Sequence, residues 1–136
     1  MTVITPAPFV MKDSTISIES DSYEAALTSV TLTPSSSIQT IKGLTPTAVF
    51  SEGTTATWTC DLTFMQDWAS AASLGKYLFD HEGETVAAVI EPIAGGVGFG
   101  VDLIITPGAI GGAVDSYATA TVSLGVQGKP ELIPAA

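Results

Sequence analysis

Few residues in this chain have the types and spacing that catalysis or metal binding requires. The single histidine, His81, lies in the acidic run DHEGE at residues 80–84, at the end of a predicted helix. A lone histidine and a lone cysteine cannot supply the paired ligands of a zinc site, so a solvated helix end is favoured over a weak metal site. Nucleophilic catalysis needs a base beside the nucleophile, and the sequence indicates no such pair. We therefore predict no catalytic residue, no metal site and no cofactor.

Two further motifs are only superficially similar to functional sites. The run GGVGFG at residues 95–100 has the glycines of a phosphate-binding loop, but no Lys-Ser or Lys-Thr follows it. A strand is also predicted after it, where a phosphate-binding loop requires a helix. Cys60 lies on the apolar face of its strand, which is typical of a small core residue and not of a reactive thiol. No pair among the 14 acidic residues is selected for glycoside chemistry, so a hydrolase is the weakest alternative.

The charge of the chain is one-sided. Fourteen Asp and Glu stand against four Lys and no Arg, which gives a net charge of −10. Binding to DNA requires Lys and Arg to neutralise phosphates, so we expect this chain to repel DNA. A purely solubilising role of the acidic charge is the alternative. Only 13% of residues are charged, and such a weakly charged surface is easily desolvated against neighbouring subunits.

Length and hydropathy predict one domain, residues 1–136, with a core of ordinary size. The first residues lack the basic start and apolar run of an export signal, and no run of about 18 apolar residues exists. We expect synthesis in a cytoplasm and no membrane partner.

Alternation of apolar and polar residues predicts a mainly β fold. We expect strands at 14–19, 22–33, 54–64, 84–91, 97–106 and 116–126, with a bulge in the second and with both faces of 84–91 covered. One helix is predicted over 67–80 with Asp67 as its N-cap. The predicted architecture is an antiparallel β-sandwich or partial barrel with one flanking α-helix. The expected core anchors are Trp58, Phe64, Trp68 and Leu78.

Residues 34–53 form a polar stretch with apolar residues that have no obvious place in the core. A loop of this length inside a compact domain is unusual and often functional. We predict either an arm that docks on a neighbouring subunit or an ordinary strand pair with a loose connection. Its candidate contact residues are Ile38, Ile41, Leu44, Val49 and Phe50. Residues 127–136 are predicted to be a short C-terminal tail.

Six segments between residues 55 and 130 carry a family resemblance. They are TWTC at 57–60, QD at 66–67, SLGKYL at 73–78, GETV at 83–86, ITPGAIGG at 105–112 and ATATVSLGVQGKP at 118–130. In this order they resemble the major tail proteins, or tail tube proteins, of siphophages, especially those that infect actinobacteria. The resemblance covers a little over half of the chain, and the first 50 residues match less distinctly.

The resemblance implies a structural subunit of a virion tail. Its hexameric rings would close a β-barrel and stack into a hollow tube with an acidic lumen, and a long loop would become ordered on stacking. DNA and the tape measure protein would pass through the lumen without specific binding. Candidate lumenal acids lie on strand faces opposite the core: Glu19, Asp21, Glu24, Asp61 and Asp102. For stacking, residues 34–50 are the candidate arm.

Two alternatives stay open at this point. One is a related ring-forming tail component, such as a terminator or baseplate ring, which would not extend into a tube. The other is a monomeric β-sandwich that binds glycans through Tyr23, Trp58 or Tyr117.

Overall fold

The computed structural model describes residues 1–135 and is mainly β. The strands are β1 Thr15–Ile18, β2 Asp21–Ser22, β3 Leu27–Ser35, β4 Ile38–Lys42, β5 Val49–Gly53, β6 Thr57–Met65, β7 Thr85–Glu91, β8 Gly98–Ile104, β9 Thr119–Val126 and β10 Glu131–Ile133. A 3-10 turn spans Glu24–Ala26, and the helix α1 spans Leu74–Asp80. All strand pairs are antiparallel. The predicted fold class, antiparallel β with one helix, is confirmed.

The main sheet folds over on itself into two layers. Its strand order is β2-β1-β7-β8-β9-β6-β3, and β10 pairs with β8 outside this path. Strands β8 and β9 are joined only through the pairs Leu103–Val126 and Ile104–Gly125. Inward-facing residues from both halves belong to one core cluster. The β3–β6–β9 layer therefore packs against the β1–β7–β8 layer, as in a sandwich.

The core follows from the period-two pattern of the strands. In β6 the side chains of Cys60, Leu62 and Phe64 are buried, and in β9 those of Ala120, Val122 and Leu124. The opposite layer contributes alternate residues of β1, β7 and β8. Leu74 and Leu78, one helical turn apart on α1, are buried against the same cluster. Phe64 and Leu78 thus lie in the core at 1% and 0% exposure.

The helix is shorter than predicted and begins at Leu74, because Ser73 is the N-cap. The Ser73 Oγ accepts a hydrogen bond from the Lys76 N–H at 3.3 Å. Asp67 accepts from the N–H groups of Ala69 and Ser70 and caps a separate turn. Hydrogen bonds from Ser70, then from the Ala69 N–H, lower the pKa of Asp67. Both residues are good N-cap types, so the sequence offers two starts for one helix.

Two of the expected core anchors lie elsewhere. Trp68 does not anchor the core: it belongs to the turn before α1, and its side chain is 45% exposed. Trp58 is half-buried at the start of β6, where it lines an apolar groove between the two layers with Phe9, Leu32 and Phe99. Neither position follows from hydrophobicity alone, since both tryptophans have the spacing of core residues.

Residues 34–53 are not a loop. Strand β3 continues to Ser35, and β4 and β5 then form a two-stranded antiparallel sheet. The joint between the two sheets is held by the Thr54 N–H, which donates to the Ser37 carbonyl at 2.8 Å, and by the Ser37 N–H, which donates to the Thr54 Oγ1 at 2.9 Å. Isoleucine, threonine, valine and phenylalanine favour extended backbone, and this preference outweighs the polarity of the stretch. We call residues 38–53 the ribbon.

Other departures from the predicted elements are smaller. Strand β7 buries one face only, because Ala87 is exposed and Val89 half-buried. The predicted strand 22–33 is divided by the 3-10 turn, and a register shift between Leu27 and Ser29 marks the expected bulge. Part of the C-terminal tail, Glu131–Ile133, pairs with β8 as β10. Within residues 1–135 no helix is long and apolar enough to cross a membrane.

Candidate assembly surfaces

The two side chains with the most reactive functional groups, the Cys60 thiol and the His81 imidazole, have structural roles. Burial, and then the Asp61 carboxylate, raises the pKa of the Cys60 thiol to about 12. The ring of His81 stacks on Tyr77 at 4.1 Å between centroids, and its Nδ1 lies 2.9 Å from the Tyr77 carbonyl oxygen. No group of three or more His, Cys, Asp or Glu among the described residues could hold a metal ion.

The ribbon exposes an apolar pair on one face. Ile41 on β4 lies opposite Phe50 on β5, and their side chains are 70% and 66% exposed. The next pair on this face is Gln39 and Glu52, because side chains alternate in register. Strands β4 and β5 pair only with each other. The apolar pair therefore has no cover within the described chain.

The opposite face of the ribbon is more polar. The hydroxyls of Thr40 and Ser51 are hydrogen bonded at 2.9 Å, and Lys42 lies opposite Val49. Leu44 occupies the tip, where the Gly43 N–H donates to the Ala48 carbonyl at 2.7 Å. The structure thus brings all five candidate stacking residues onto one projecting element: Ile38, Ile41, Leu44, Val49 and Phe50. Each of them is exposed.

A hydroxyl-rich array covers the face of the β3–β6–β9 layer opposite the core. We call this surface the open face. The three strands are in register, so one residue from each strand lies in a row across it. At its centre Asp61 accepts a hydrogen bond from the Ser123 hydroxyl, and in the next row the hydroxyls of Thr63 and Thr121 are 3.1 Å apart. The rows are Ser29–Thr63–Thr121, Thr31–Asp61–Ser123 and Thr33–Thr59–Gly125. Apart from Asp61 and Gly125, every residue of the array carries a hydroxyl group.

The same layer has two strand edges without partners. Strand β3 pairs with β6 on one side only, and among the described residues no strand lies on its other side. Strand β9 pairs with β8 only at Gly125 and Val126, so its edge over residues 119–124 is open. Unpaired edges of this length are templates for pairing with another chain.

The five candidate lumenal acids are not brought together. Asp61 lies on the open face, and Asp102 lies on β8, beyond the junction between the layers. Glu19 follows β1 with a φ of 57°, Asp21 begins β2 and Glu24 begins the 3-10 turn. These three lie near the other end of the sheet path. Burial, then Asp21 and Glu19, raises the pKa of Tyr23.

An exposed aromatic patch that the sequence did not reveal lies at the end of β6 far from the ribbon. Trp68 and Phe79 pack edge to face with centroids 6.5 Å apart, and Ile110 lines the same shallow depression. Phe79 is 56% and Ile110 65% exposed. We call these three residues the Trp68 patch. Lys76 and Asp80 of α1 flank it.

Gln66 holds the parts of the Trp68 patch together. Its Nε2 donates to the Gly111 carbonyl at 2.8 Å, and its Oε1 accepts from the Gly111 N–H at 2.9 Å. The Trp68 Nε1 donates to the same Oε1 at 3.2 Å. The sequence signal for this patch is weak, because the spacing of Trp68 predicts a core residue and Ile110 is a single apolar residue among glycines.

Comparison with known structures identifies the same fold in a tail assembly. The chain is similar to one in the tail of an empty GTA particle, a structure computed with helical refinement and C6 symmetry. The TM-score is 0.60 at 12% identity, over 79% of this chain and 82% of that one. At this identity the likeness establishes the fold. No protein-family model matches the chain, and no curated protein does.

Proposed function

We propose that the chain is the structural subunit of a phage-type tail tube, in which rings of six copies stack into a hollow conduit for DNA. One observation carries the proposal: a sandwich layer with two open strand edges continues into a projecting ribbon whose apolar side chains are uncovered. The similarity to a chain of a C6-symmetric tail supports it. The sequence segments of the second half favour the siphophage major tail proteins within this class.

Ring closure follows from the two open edges. The open edge of β3 in one copy would pair with the open edge of β9 in the next, and closure would leave no edge unpaired. Both strands are antiparallel to β6 and so run in the same direction. Copies around one rotation axis share their direction along that axis. The β3 and β9 strands that meet between neighbouring copies would therefore pair in parallel, whereas every strand pair within the described chain is antiparallel.

Packing determines which face of the ring lines the bore. Three strands from each of six copies, about 4.8 Å apart, have a circumference of about 86 Å and a radius of about 14 Å. A strand tilt of about 40° increases this radius to about 18 Å. Packed sheets are about 10 Å apart, so the β1–β7–β8 layer placed inside would lie about 8 Å from the axis and fill the bore. The β1–β7–β8 layer must lie outside, and the open face must line the lumen.

This placement selects Asp61 from the five lumenal candidates. Its carboxylate would repeat once per copy around each ring, within a wall of threonine and serine hydroxyls. Tight binding of DNA arises when Lys and Arg release the counterions of phosphates, and the rows of the open face contain neither residue. DNA and a tape measure protein would pass such a wall without being held. The mature location would be the virion tail, after synthesis in the host cytoplasm.

Negative-stain microscopy and light scattering of the purified chain test the proposal. We expect long hollow tubes with regularly spaced rings. Single rings that do not lengthen would indicate a terminator or baseplate component, and a monomer without ordered particles would favour the glycan-binding module. Either of these outcomes overturns the tube assignment.

A further inference from the structure

The ribbon and the Trp68 patch lie at opposite ends of the same strand. Strand β6 begins at Thr57, next to the ribbon joint, and ends at Met65, directly before Gln66 and Trp68. Eight residue steps at about 3.3 Å separate these ends by about 26 Å. Both ends expose apolar side chains, and neither can reach the other within one molecule without breaking the paired sheet. Contact between them therefore requires two copies.

We propose that the Trp68 patch is the socket for the ribbon of a second copy of this chain in the adjacent ring. The Ile41–Phe50 pair packs against Trp68 and Phe79 across the ring boundary. This inference rests on the proposed function and adds the receiving surface to it. The contact is head to tail, since different surfaces of identical copies meet, and repetition along an axis gives a filament and not a closed dimer.

Charge complementarity supports this occupant. Glu52 lies on the same ribbon face as Phe50, and Lys76 and Asp80 both border the Trp68 patch, so Glu52 can meet a cation only on the Lys76 side. Both side chains are exposed. The chain has only four lysines against fourteen acidic residues, so few positions on a neighbouring copy could offer Glu52 a cation. With the apolar pair seated on the patch, the carboxylate of Glu52 approaches the ammonium group of Lys76.

Cysteine crosslinking tests the contact directly. The double variant Glu52→Cys with Lys76→Cys, which keeps the apolar contact intact, would be assembled and oxidised, and its products separated under denaturing conditions. Cys60 is buried and serves as a silent background. We expect a ladder of covalent multimers, because each copy is linked to one above and one below. The matched control, Ser51→Cys with Lys76→Cys, presents its ribbon thiol on the other face and should give no ladder.

A charge exchange provides a second test with exposed residues, so folding is preserved. Glu52→Lys and Lys76→Glu should each raise the protein concentration needed for tube formation at least tenfold, and the combined variant should recover most of that loss. Circular dichroism would check that all variants are folded. Tubes that form without a crosslinked ladder, or a combined variant as impaired as the single ones, overturn the socket while leaving the tube function intact. A wild-type chain that forms no tubes overturns both.

Discussion

Replacement of Phe50 by serine should strongly weaken ring stacking without affecting the fold of the subunit. The Phe50 side chain is 66% exposed, and its only close partner on the ribbon face is Ile41. An aromatic side chain has about 200 Å² of surface to bury, so about 130 Å² remains available for a neighbouring copy. At about 25 cal/mol per Å², full burial of this area would stabilise each contact by about 3 kcal/mol.

Repetition around the ring multiplies this effect. In the proposed ring of six copies, six such contacts per ring boundary would sum to about 18 kcal/mol at full burial. Association yields only part of this free energy, because the ordering of side chains and the desolvation of polar groups oppose it. If one sixth is realised, the loss is about 3 kcal/mol per added ring, which raises the critical concentration about a hundredfold. Sedimentation of tubes over a dilution series, with microscopy of the supernatant, measures this concentration.

The control variant is Ser51→Ala, which alters the opposite face of the same ribbon and should assemble like the wild type. The isolated Phe50→Ser subunit should unfold at the wild-type temperature, because Phe50 makes no buried contact in it. Tubes of Phe50→Ser at an unchanged critical concentration would refute the reasoning. An equal defect in Ser51→Ala would attribute the effect to the ribbon as a whole and not to its apolar pair.

Three further predictions concern the lumen, the core and the thiol. Tubes of Asp61→Lys should stay intact but retain short duplex DNA at low salt and release it as the salt concentration is raised. Tubes of the control variant Asp102→Lys should retain no DNA. Filter binding over a salt series measures both. Gly108→Ala should destabilise the monomer by about 1–3 kcal/mol in urea unfolding, because the new Cβ would lie 2.8 Å from a buried phenylalanine ring. Gly53→Ala, which meets nothing within 4 Å, should be nearly neutral. Burial raises the pKa of Cys60 to about 12, so maleimide should label it at pH 8 only in denaturant, as followed by mass spectrometry.

The strands with one buried face were predictable because their pattern is set by burial. In β6 and β9 every second residue is apolar and enters the core, so the sequence period is also the structural period. The start of the helix was not predictable in the same way. Asp67 and Ser73 each cap a turn, and only the packing of Leu74 and Leu78 decides which turn continues as a helix.

The assembly surfaces were only partly predictable. The apolar residues of the ribbon lie on both of its faces, so they give no amphipathic period, and the sequence alone leaves a docking arm and an ordinary strand pair both open. The Trp68 patch was not predictable, because a tryptophan at helical spacing is normally buried by its own domain. A surface completed by another copy leaves the same sequence pattern as a core. The choice of Asp61 among the acids required the strand register, which sequence alone does not give.

The slender joint at Ser37 and Thr54 has a mechanical consequence for the assembled tail. In the proposed tube each ring would be a closed, doubly layered wall, whereas neighbouring rings would be linked by two-stranded ribbons, each anchored to its subunit through a few hydrogen bonds. Bending would therefore deform mainly the boundaries between rings, where the ribbons can change their angle, and the wall of each ring would stay round. Such a tail would curve by small tilts between rigid rings, and its lumen would stay open through the bend.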